Sequence, residues 1–558
     1  MAATGRRRPG TAPARLVERR IGLLFAVFLV LIGAALLRAG YLLAFKGEGL
    51  KQRAVSQQVE TNIVPAKRGT ITDRHGKELA VSEDAATVYA TPFLIKDPVG
   101  AAKKIAPLLG KSPDEVTQIL ADRRSGFAYL SRKLDIRKAH RIKKLKIPGV
   151  GLLDDERRYY PEGELASQLL GTVGIDNQGL SGLELSLDES LHGSDGKERV
   201  VKDALGDPVA LNQLNSQRSG TDVRLTIDSA IQDRTENVLA DVGSSFQPKG
   251  ATAIVMNPNN GDILAMANWP QVNGNHVEEA PPWARANRAV GFTYEPGSTF
   301  KAITVAGALQ GGLVTPNTTF EVGPQIQVAD RVIKEAHGTG GLFTVSQILA
   351  QSSNVGAVKV GLSLGAKHFD HWVRRFGFAR STDIPLPGES PGIVPQVKDY
   401  SGASMGNLPI GQGLAVTPLQ MADAYSAIAN GGVLLKPRLL MNSDPPVARR
   451  VISRRTAHRL ESMLEGVLGP TGTAPEAAVA GYDIAGKTGT AEKAVAGGYS
   501  QSKFVASFIG FAPARNARLL VAVMVDEPKG GHSGGQVAAP AFEQIASFAL
   551  PYLGIAPK

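Results

Sequence analysis

Ser298 lies three residues before Lys301 in the run Tyr294-Glu295-Pro296-Gly297-Ser298-Thr299-Phe300-Lys301. Pro296 and Gly297 break regular structure, so the chain turns just before the serine. The residues from Ala302 to Gln310 are apolar or helix-tolerant, and Gly311-Gly312 supplies a stop. The pattern predicts a strand, a turn and a helix with Ser298 in its first turn. A spacing of three puts both side chains on one helical face. A hydroxyl beside an amine can act as nucleophile and base. The helix N-terminus adds unbonded N–H groups and partial positive charge. The same two residues also fit an N-cap serine followed by a solvated lysine. Ser-x-x-Lys recurs at Ser194–Lys197 and Ser500–Lys503, among turn residues, so the pattern alone does not discriminate.

Two further polar clusters carry more information. Thr344-Val345-Ser346-Gln347 is a capping box that opens a helix to about Gln351. A second helix should run to about Leu364. Between them stands Ser352-Ser353-Asn354. Ser352 and Asn354 either cap the second helix or project a hydroxyl and an amide from a fixed corner. The other cluster is Ala485-Gly486-Lys487-Thr488-Gly489-Thr490-Ala491. One reading is an edge strand whose lysine guards against aggregation. However, Gly489 lacks a side chain in mid-strand, which predicts close approach of another backbone. Thr488 and Thr490 share a face, and Lys487 adds a positive charge. Such a strand can hold an extended peptide that ends in a carboxylate.

The elements that must position these groups follow from residue 226 onward. Asp228 caps a helix from Ser229 to about Ala240. Residues 250–267 read as a hairpin, with two apolar runs about Pro258-Asn259-Asn260-Gly261. Lys503–Phe511 and Leu519–Val525 are two more apolar strands. Thr417-Pro418-Leu419-Gln420 is a second capping box, whose helix ends at Asn430-Gly431-Gly432. Hairpins with helices between them predict an α+β domain, an antiparallel sheet covered by helices on both faces.

The chain has 558 residues, 20% of them charged and 43% hydrophobic, which suits one large domain plus a second module. It contains no cysteine, so disulfides, a thiol nucleophile and cysteine metal sites are excluded. The net charge of +11 suits anionic partners. No nucleic-acid motif is present. Six arginines, Arg6, Arg7, Arg8, Arg15, Arg19 and Arg20, precede an apolar run from Ile21 to Leu37 that resumes after Arg38 as far as Phe45. This predicts an uncleaved single-pass anchor with a cytoplasmic N-terminus and the remainder outside. Residues 46–225 are richer in charge and turns. Arg68 to Ala80 reads as strand, turn and strand with a local cluster of ion pairs. Arg132 to Lys146 reads as a solvated basic helix face. The acids between Asp188 and Glu198 miss the calcium-loop spacing, so no metal is expected. This region is expected to act as a spacer or docking module.

Ser298-x-x-Lys301, Ser352-x-Asn354 and Lys487-Thr488-Gly489-Thr490 occur in that chain order. The set belongs to penicillin-binding proteins and class A β-lactamases. With the anchor, the chain resembles a class B penicillin-binding protein. The words around Ser298, Val505-Ala506-Ser507-Phe508-Ile509-Gly510-Phe511-Ala512-Pro513 and Gly534-Gly535-Gln536-Val537-Ala538-Ala539-Pro540 are similar to the cell-division (FtsI-type) branch. Arg68 to Arg74 and Gly182-Leu183-Glu184 resemble that family's non-catalytic pedestal. Ser353, where a lactamase has aspartate, suits a transpeptidase.

The resemblance implies a peptidoglycan D,D-transpeptidase that cross-links stem peptides through a serine acyl-enzyme and is inhibited by β-lactams. Ser298 would be the nucleophile and Lys301 its base, kept neutral by burial and by the charge of Lys487. Ser352 would relay the proton to the departing D-alanine, and Asn354 would orient the peptide amide. Lys487, Thr488 and Thr490 would hold the terminal carboxylate beside Gly489, with backbone N–H groups of Ser298 and Thr490 as the oxyanion hole. No cofactor is implied. The implied partners are stem peptides on glycan strands built from lipid-linked precursor, an FtsW-type polymerase in the membrane and other division proteins. The organisation expected is a cytoplasmic tail at 1–20, a transmembrane anchor at 21–45, an elongated pedestal of the dimerisation type at 46–225 and the transpeptidase domain at 226–558. The alternatives are an elongation or sporulation enzyme of the same class and a mainly structural division scaffold. A β-lactamase needs neither anchor nor pedestal, and a penicillin-sensing receptor needs more than about 20 residues before the span.

Overall fold

The computed structural model of the protein describes residues 14–45, 59–202, 208–336, 340–444, 446–495 and 498–558. Arg6, Arg7 and Arg8 lie outside the described residues. The chain divides into two units, one of residues 1–65 with 195–217 and one of residues 66–194 with 218–558.

The first unit contains a helix, α1 (Ala14–Phe45). Its segment Arg19–Leu42 has 24 residues and no burial within the protein. At about 1.5 Å per residue it is long enough for a hydrocarbon core of about 30 Å. The unit also contains strands Val59–Val64, Gly196–Lys202 and Pro208–Asn215, paired antiparallel in that order.

The second unit begins with β1 (Ile71–Thr72) and β2 (Glu78–Ala90), joined by the turn expected at Arg74-His75-Gly76. β2 continues into a small sheet with β3 (Ala128–Asp135) and β4 (Val150–Tyr159). Two features here differ from expectation. The charges around Arg68 pair over long distances rather than locally. Arg68 Nε donates to Glu184 at 2.6 Å and its Nη1 to Asp188 at 2.6 Å, while Arg158 Nε donates to the other Glu184 oxygen at 2.7 Å. The Glu184 side chain is fully buried between the two guanidinium groups. The basic run from Arg132 is also not one solvated helix. Arg132 and Lys133 lie within β3, and the helix, α2, spans only Ile136–Lys144. Lys133 has φ +54, which turns it inward to donate to the Glu156 carbonyl at 2.8 Å. Desolvation lowers its pKa.

This small sheet and its helices enclose a separate core that includes Val88, Ile105, Val116, Leu120 and Ile142. Ile71, Leu79, Leu169, Leu183 and Leu191 instead join the main core. The two regions of this unit are sewn together by Asp73, whose carboxylate accepts from Ser229, and by Ala166 N, which donates to Glu236 at 2.8 Å.

The main core surrounds a five-stranded antiparallel sheet. Asp228 caps α3 (Ser229–Phe246), accepting from Ala230 N and Ile231 N. The helix runs six residues beyond Ala240. The hairpin is β5 (Gly250–Met256) and β6 (Ile263–Trp269). The remaining strands are β7 (Ala485–Val495), β8 (Gly498–Ala512) and β9 (Leu519–Asp526), and the spatial order is β6-β5-β9-β8-β7. All residues of β5 and of β9 are buried, so both sheet faces are covered. Between β6 and β7 the chain forms α4 (Lys301–Gln310), α5 (Val345–Ala350), α6 (Asn354–Arg375), α7 (Pro418–Ala429) and α8 (Arg454–Glu465), and α9 (Gly534–Tyr552) follows β9; α3 and α9 pack on one side of the sheet, α7 and α8 on the other. Both expected capping boxes form, at Thr344 and Thr417. The helix from Asn354 ends near Leu364 as expected, since Gly365 has non-helical backbone angles (φ +68, ψ 159), and a second helix follows directly to Arg375; α6 denotes the two together.

Candidate active site

Ser298 sits in a 3-10 turn, Gly297–Phe300, that runs directly into α4. Gly297 has φ +54, and its N–H donates to the Gly411 carbonyl at 3.1 Å. A Cβ at Gly411 would lie 2.2 Å from the Gly297 oxygen, so this crossing accepts only glycine. The next peptide is held from behind, where the Tyr425 hydroxyl on α7 donates to the Thr299 carbonyl at 2.6 Å. The serine backbone is therefore fixed on two sides.

Lys301 is fully buried. Its Nζ donates to the Ser352 carbonyl at 2.6 Å, to Ser352 Oγ at 3.3 Å and to Asn354 Oδ1 at 2.7 Å. Ser298 Oγ is not among these acceptors. Burial pushes the lysine pKa down to about 7, against the charge of Glu335, which raises it. The helix corner is tight: Ser352 has φ +62, a conformation that costs a non-glycine residue about 1 kcal/mol or more. The cap of α6 is Ser353, whose Oγ accepts from Gly356 N, so neither Ser352 nor Asn354 serves as the cap.

Lys487, on edge strand β7, is not the exposed guard of that edge. It is fully buried, and its Nζ donates to the Thr488 carbonyl and Thr488 Oγ1, each at 3.2 Å. Desolvation, reinforced by repulsion from Lys301, holds its pKa well below the usual lysine range. The charge of Lys301 acts on Lys487, whereas the drop at Lys301 comes from burial. Gly489 behaves as its position predicts: a Cβ there would lie 2.3 Å from Ser507 Oγ and 3.0 Å from both the Pro296 carbonyl and Thr299 Cγ2. The strand thus lies directly against the serine turn. Thr490 Oγ1 accepts from Gly534 N at 3.1 Å, the first residue of α9.

Ser298, Ser352, Asn354, Thr488 and Thr490 line one open cavity of about 750 Å³. Lys301 and Lys487 lie behind its wall. Of the two other Ser-x-x-Lys copies, Ser500 is on a strand and accepts from Lys503 N, with no helix start beside it.

Several residues of this cavity carry no sequence signal. Glu335 follows the strand Arg331–Lys334 and accepts from Ser353 Oγ at 2.8 Å, Val355 N at 2.6 Å and Asn354 N at 3.3 Å. It neutralises the start of α6 from outside the helix. Thr473 shares a hydroxyl hydrogen bond of 2.7 Å with Thr488. Glu476 and Gln536 complete the rim. Chemically, the site offers a hydroxyl at a helix start, an amine able to exchange a proton near neutrality, and a strand edge beside both.

Residues 251–547 match the penicillin binding protein transpeptidase domain, and residues 63–225 match the penicillin-binding protein dimerisation domain. The chain is 35% identical to stage V sporulation protein D of Bacillus subtilis over 96% of its own length and 86% of that relative. It is 33% identical to the peptidoglycan D,D-transpeptidase FtsI of Escherichia coli over 98% of its length and 93% of that relative. Its fold is similar to penicillin binding protein 3 of Mycobacterium tuberculosis, solved with aztreonam, at a TM-score of 0.70 and 28% identity, covering 89% of this chain and 98% of that one. The serine turn, the buried lysine and the strand edge thus stand in a chain that matches these proteins from its first helix to its last, and it belongs to the class B penicillin-binding proteins, the serine-type peptidoglycan D,D-transpeptidases.

Proposed function

We propose that Ser298 is the acylated nucleophile of this transpeptidase and that Lys301 is its base. The observation that carries this reading is the lysine itself, fully buried, with a pKa pushed down to about 7 and an Nζ held by Ser352 and Asn354. Neutral Lys301 takes the Ser298 proton as Oγ bonds to the carbonyl carbon between two terminal D-alanines. Backbone N–H groups of Ser298 and Thr490 receive the oxyanion. The carbon–nitrogen bond then breaks, and the proton passes from Lys301 through Ser352 to the departing amine. A second stem peptide's amine attacks the ester, gives up a proton by the same route and releases Ser298. Asn354 orients the peptide amide. Thr488, Thr490 and Lys487 hold the terminal carboxylate, and Gly489 lets the strand lie close enough to do so.

Residues 46–225 serve as the pedestal and 226–558 as the catalytic domain, with α1 as the anchor and the N-terminus in the cytoplasm. The process served is septal wall synthesis, with an FtsW-type polymerase as the membrane partner. The sporulation reading is favoured by one observation, the 35% identity to a sporulation protein beside 33% to FtsI. A fluorescent fusion at midcell in dividing cells supports the septal reading; a side-wall or spore-septum pattern rejects it. The nucleophile is tested with Ser298→Ala and a labelled penicillin. Covalent labelling at the wild-type level would sink the assignment. Growth supported by Ser298→Ala would favour a scaffold.

A further inference from the structure

A second cavity, of about 290 Å³, opens elsewhere on the same unit. Its walls are apolar, from Phe376, Leu434, Leu435 and Pro437. Its floor is Asp423 on α7, which is only 6% exposed. Gln420, one turn earlier, has its amide fully occupied by the carbonyls of Arg380 and Pro391 and by Thr417 N. Asp423 makes no hydrogen bond, and its Oδ1 is completely buried without a partner. Buried polar groups are nearly always paired, so this atom marks a place where a partner belongs. Burial, with the charge of Glu389 nearby, pushes the carboxyl pKa well above its usual range.

The rim has the opposite character. Arg380, Arg449 and Lys436 line it, against the single exposed acid Asp383. Among the described residues none of the three cations forms an ion pair. Arg375, close by, spends its guanidinium on the Val451 and Arg450 carbonyls. Arg449 is crowded enough that desolvation and the charges of Arg380 and Arg375 lower its pKa. Unpaired arginines over an unpartnered acid are an incomplete arrangement. An ammonium ligand would face three cations at the mouth. A bare phosphate would leave the apolar walls unfilled. The unpartnered carboxyl oxygen of Asp423 can accept from the N–H of a peptide amide.

We propose that this cavity binds the carboxy-terminal end of a peptide. The terminal carboxylate lies between Arg380 and Arg449, an apolar last side chain fills the space between Phe376 and Leu434, and the preceding amide pairs with Asp423. Arginine forks suit carboxylates in this way. The chemistry is shared by a protein C-terminus, with an L residue last, and by a wall peptide, with a D residue last. None of the residues proposed for acyl transfer takes part.

The test uses the full-length protein in detergent, with and without prior acylation by penicillin to occupy the catalytic cavity. Saturation-transfer NMR titrations follow N-acetyl-L-leucine, N-acetyl-D-leucine and N-acetyl-L-leucinamide. At least one acid should bind with or without penicillin, and the neutral amide at least about tenfold more weakly. Preference for the L or the D acid assigns the source. Arg449→Ala and Arg380→Ala should each weaken the acid about tenfold, whereas Asp423→Asn, which keeps an acceptor oxygen at this place, should stay within about threefold. Penicillin labelling checks that each variant is folded, and the two arginines are exposed enough to be replaced without disturbing the core. Equal binding of acid and amide, binding indifferent to both arginine variants, or no binding at all would overturn the proposal.

Discussion

Glu335 receives the hydroxyl of Ser353 at 2.8 Å, a bond that ties the loop after a short hairpin to the corner between α5 and α6. The same carboxylate faces the buried Lys301 and is the charge that supports its protonation. Glu335→Gln keeps the shape and removes the charge. The expected result is slower penicillin acylation by about tenfold, the scale of one weakened charge-assisted bond. The midpoint of the rate–pH profile should also move to lower pH. An unmoved midpoint would show that the carboxylate does not act on Lys301.

Acylation itself should rise with pH through about 7, because only neutral Lys301 can take the serine proton. The sign follows from the direction of the shift. Burial lowers the lysine from its ordinary 10.5, so the productive neutral form dominates above about 7 and is lost below it. Stopped-flow acylation with a fluorescent penicillin between about pH 5.5 and 9 reads this directly. Lys301→Arg, which stays charged, should slow acylation by at least about 100-fold. A flat profile would remove Lys301 from the role of base.

Gly489→Ala puts a methyl group 2.3 Å from Ser507 Oγ and 3.0 Å from the Pro296 carbonyl. The hydroxyl can move away, but the carbonyl belongs to the serine turn. The substitution should cost about 1–3 kcal/mol and abolish rapid acylation. Adding Ser507→Ala should restore only part of the melting temperature, since the backbone clash persists. Full restoration of both properties would place the constraint in Ser507 alone.

Far from the cavity, Glu184 lies between Arg68 and Arg158 with no exposure of its side chain. Glu184→Gln leaves the buried Arg158 guanidinium without its anion and Arg68 with Asp188 alone, which costs about 3–5 kcal/mol. Thermal melting should show a large loss, while protein that remains folded should still react with penicillin. A melting temperature within one degree or so of wild type, on the order expected for a surface change, would contradict the buried pairing.

How much of this was legible follows from the reach of each interaction. The Thr344 and Thr417 capping boxes close within four residues, so sequence alone reveals them. Ser298, Lys301 and the Gly489 contact rest on turn chemistry and on a missing side chain, and these too are local. The same holds for β5 and β9, whose unbroken apolar runs require cover on both faces. Glu335 was invisible because its partners stand 18 to 20 positions away with no periodic relation. Lys133 was misplaced because one residue at positive φ turned a strand lysine inward. The burial of Lys487 has no local signal, since an edge strand fits an exposed lysine equally well and it is the packing of α8 against this strand that covers it.

That burial changes how the site must greet an anion. Burial disfavours a proton on both Lys301 and Lys487, and the charge of Lys301 adds to this at Lys487. On the proposed carboxylate clamp, a substrate anion beside Thr488 should raise the Lys487 pKa and so favour its protonation as the peptide docks. Binding and proton uptake are then one linked equilibrium, so affinity for anionic peptides should weaken as the medium becomes alkaline. The acylation step improves in that same direction. The two tendencies together define a working window rather than a plateau, set by a pair of amines that no water reaches.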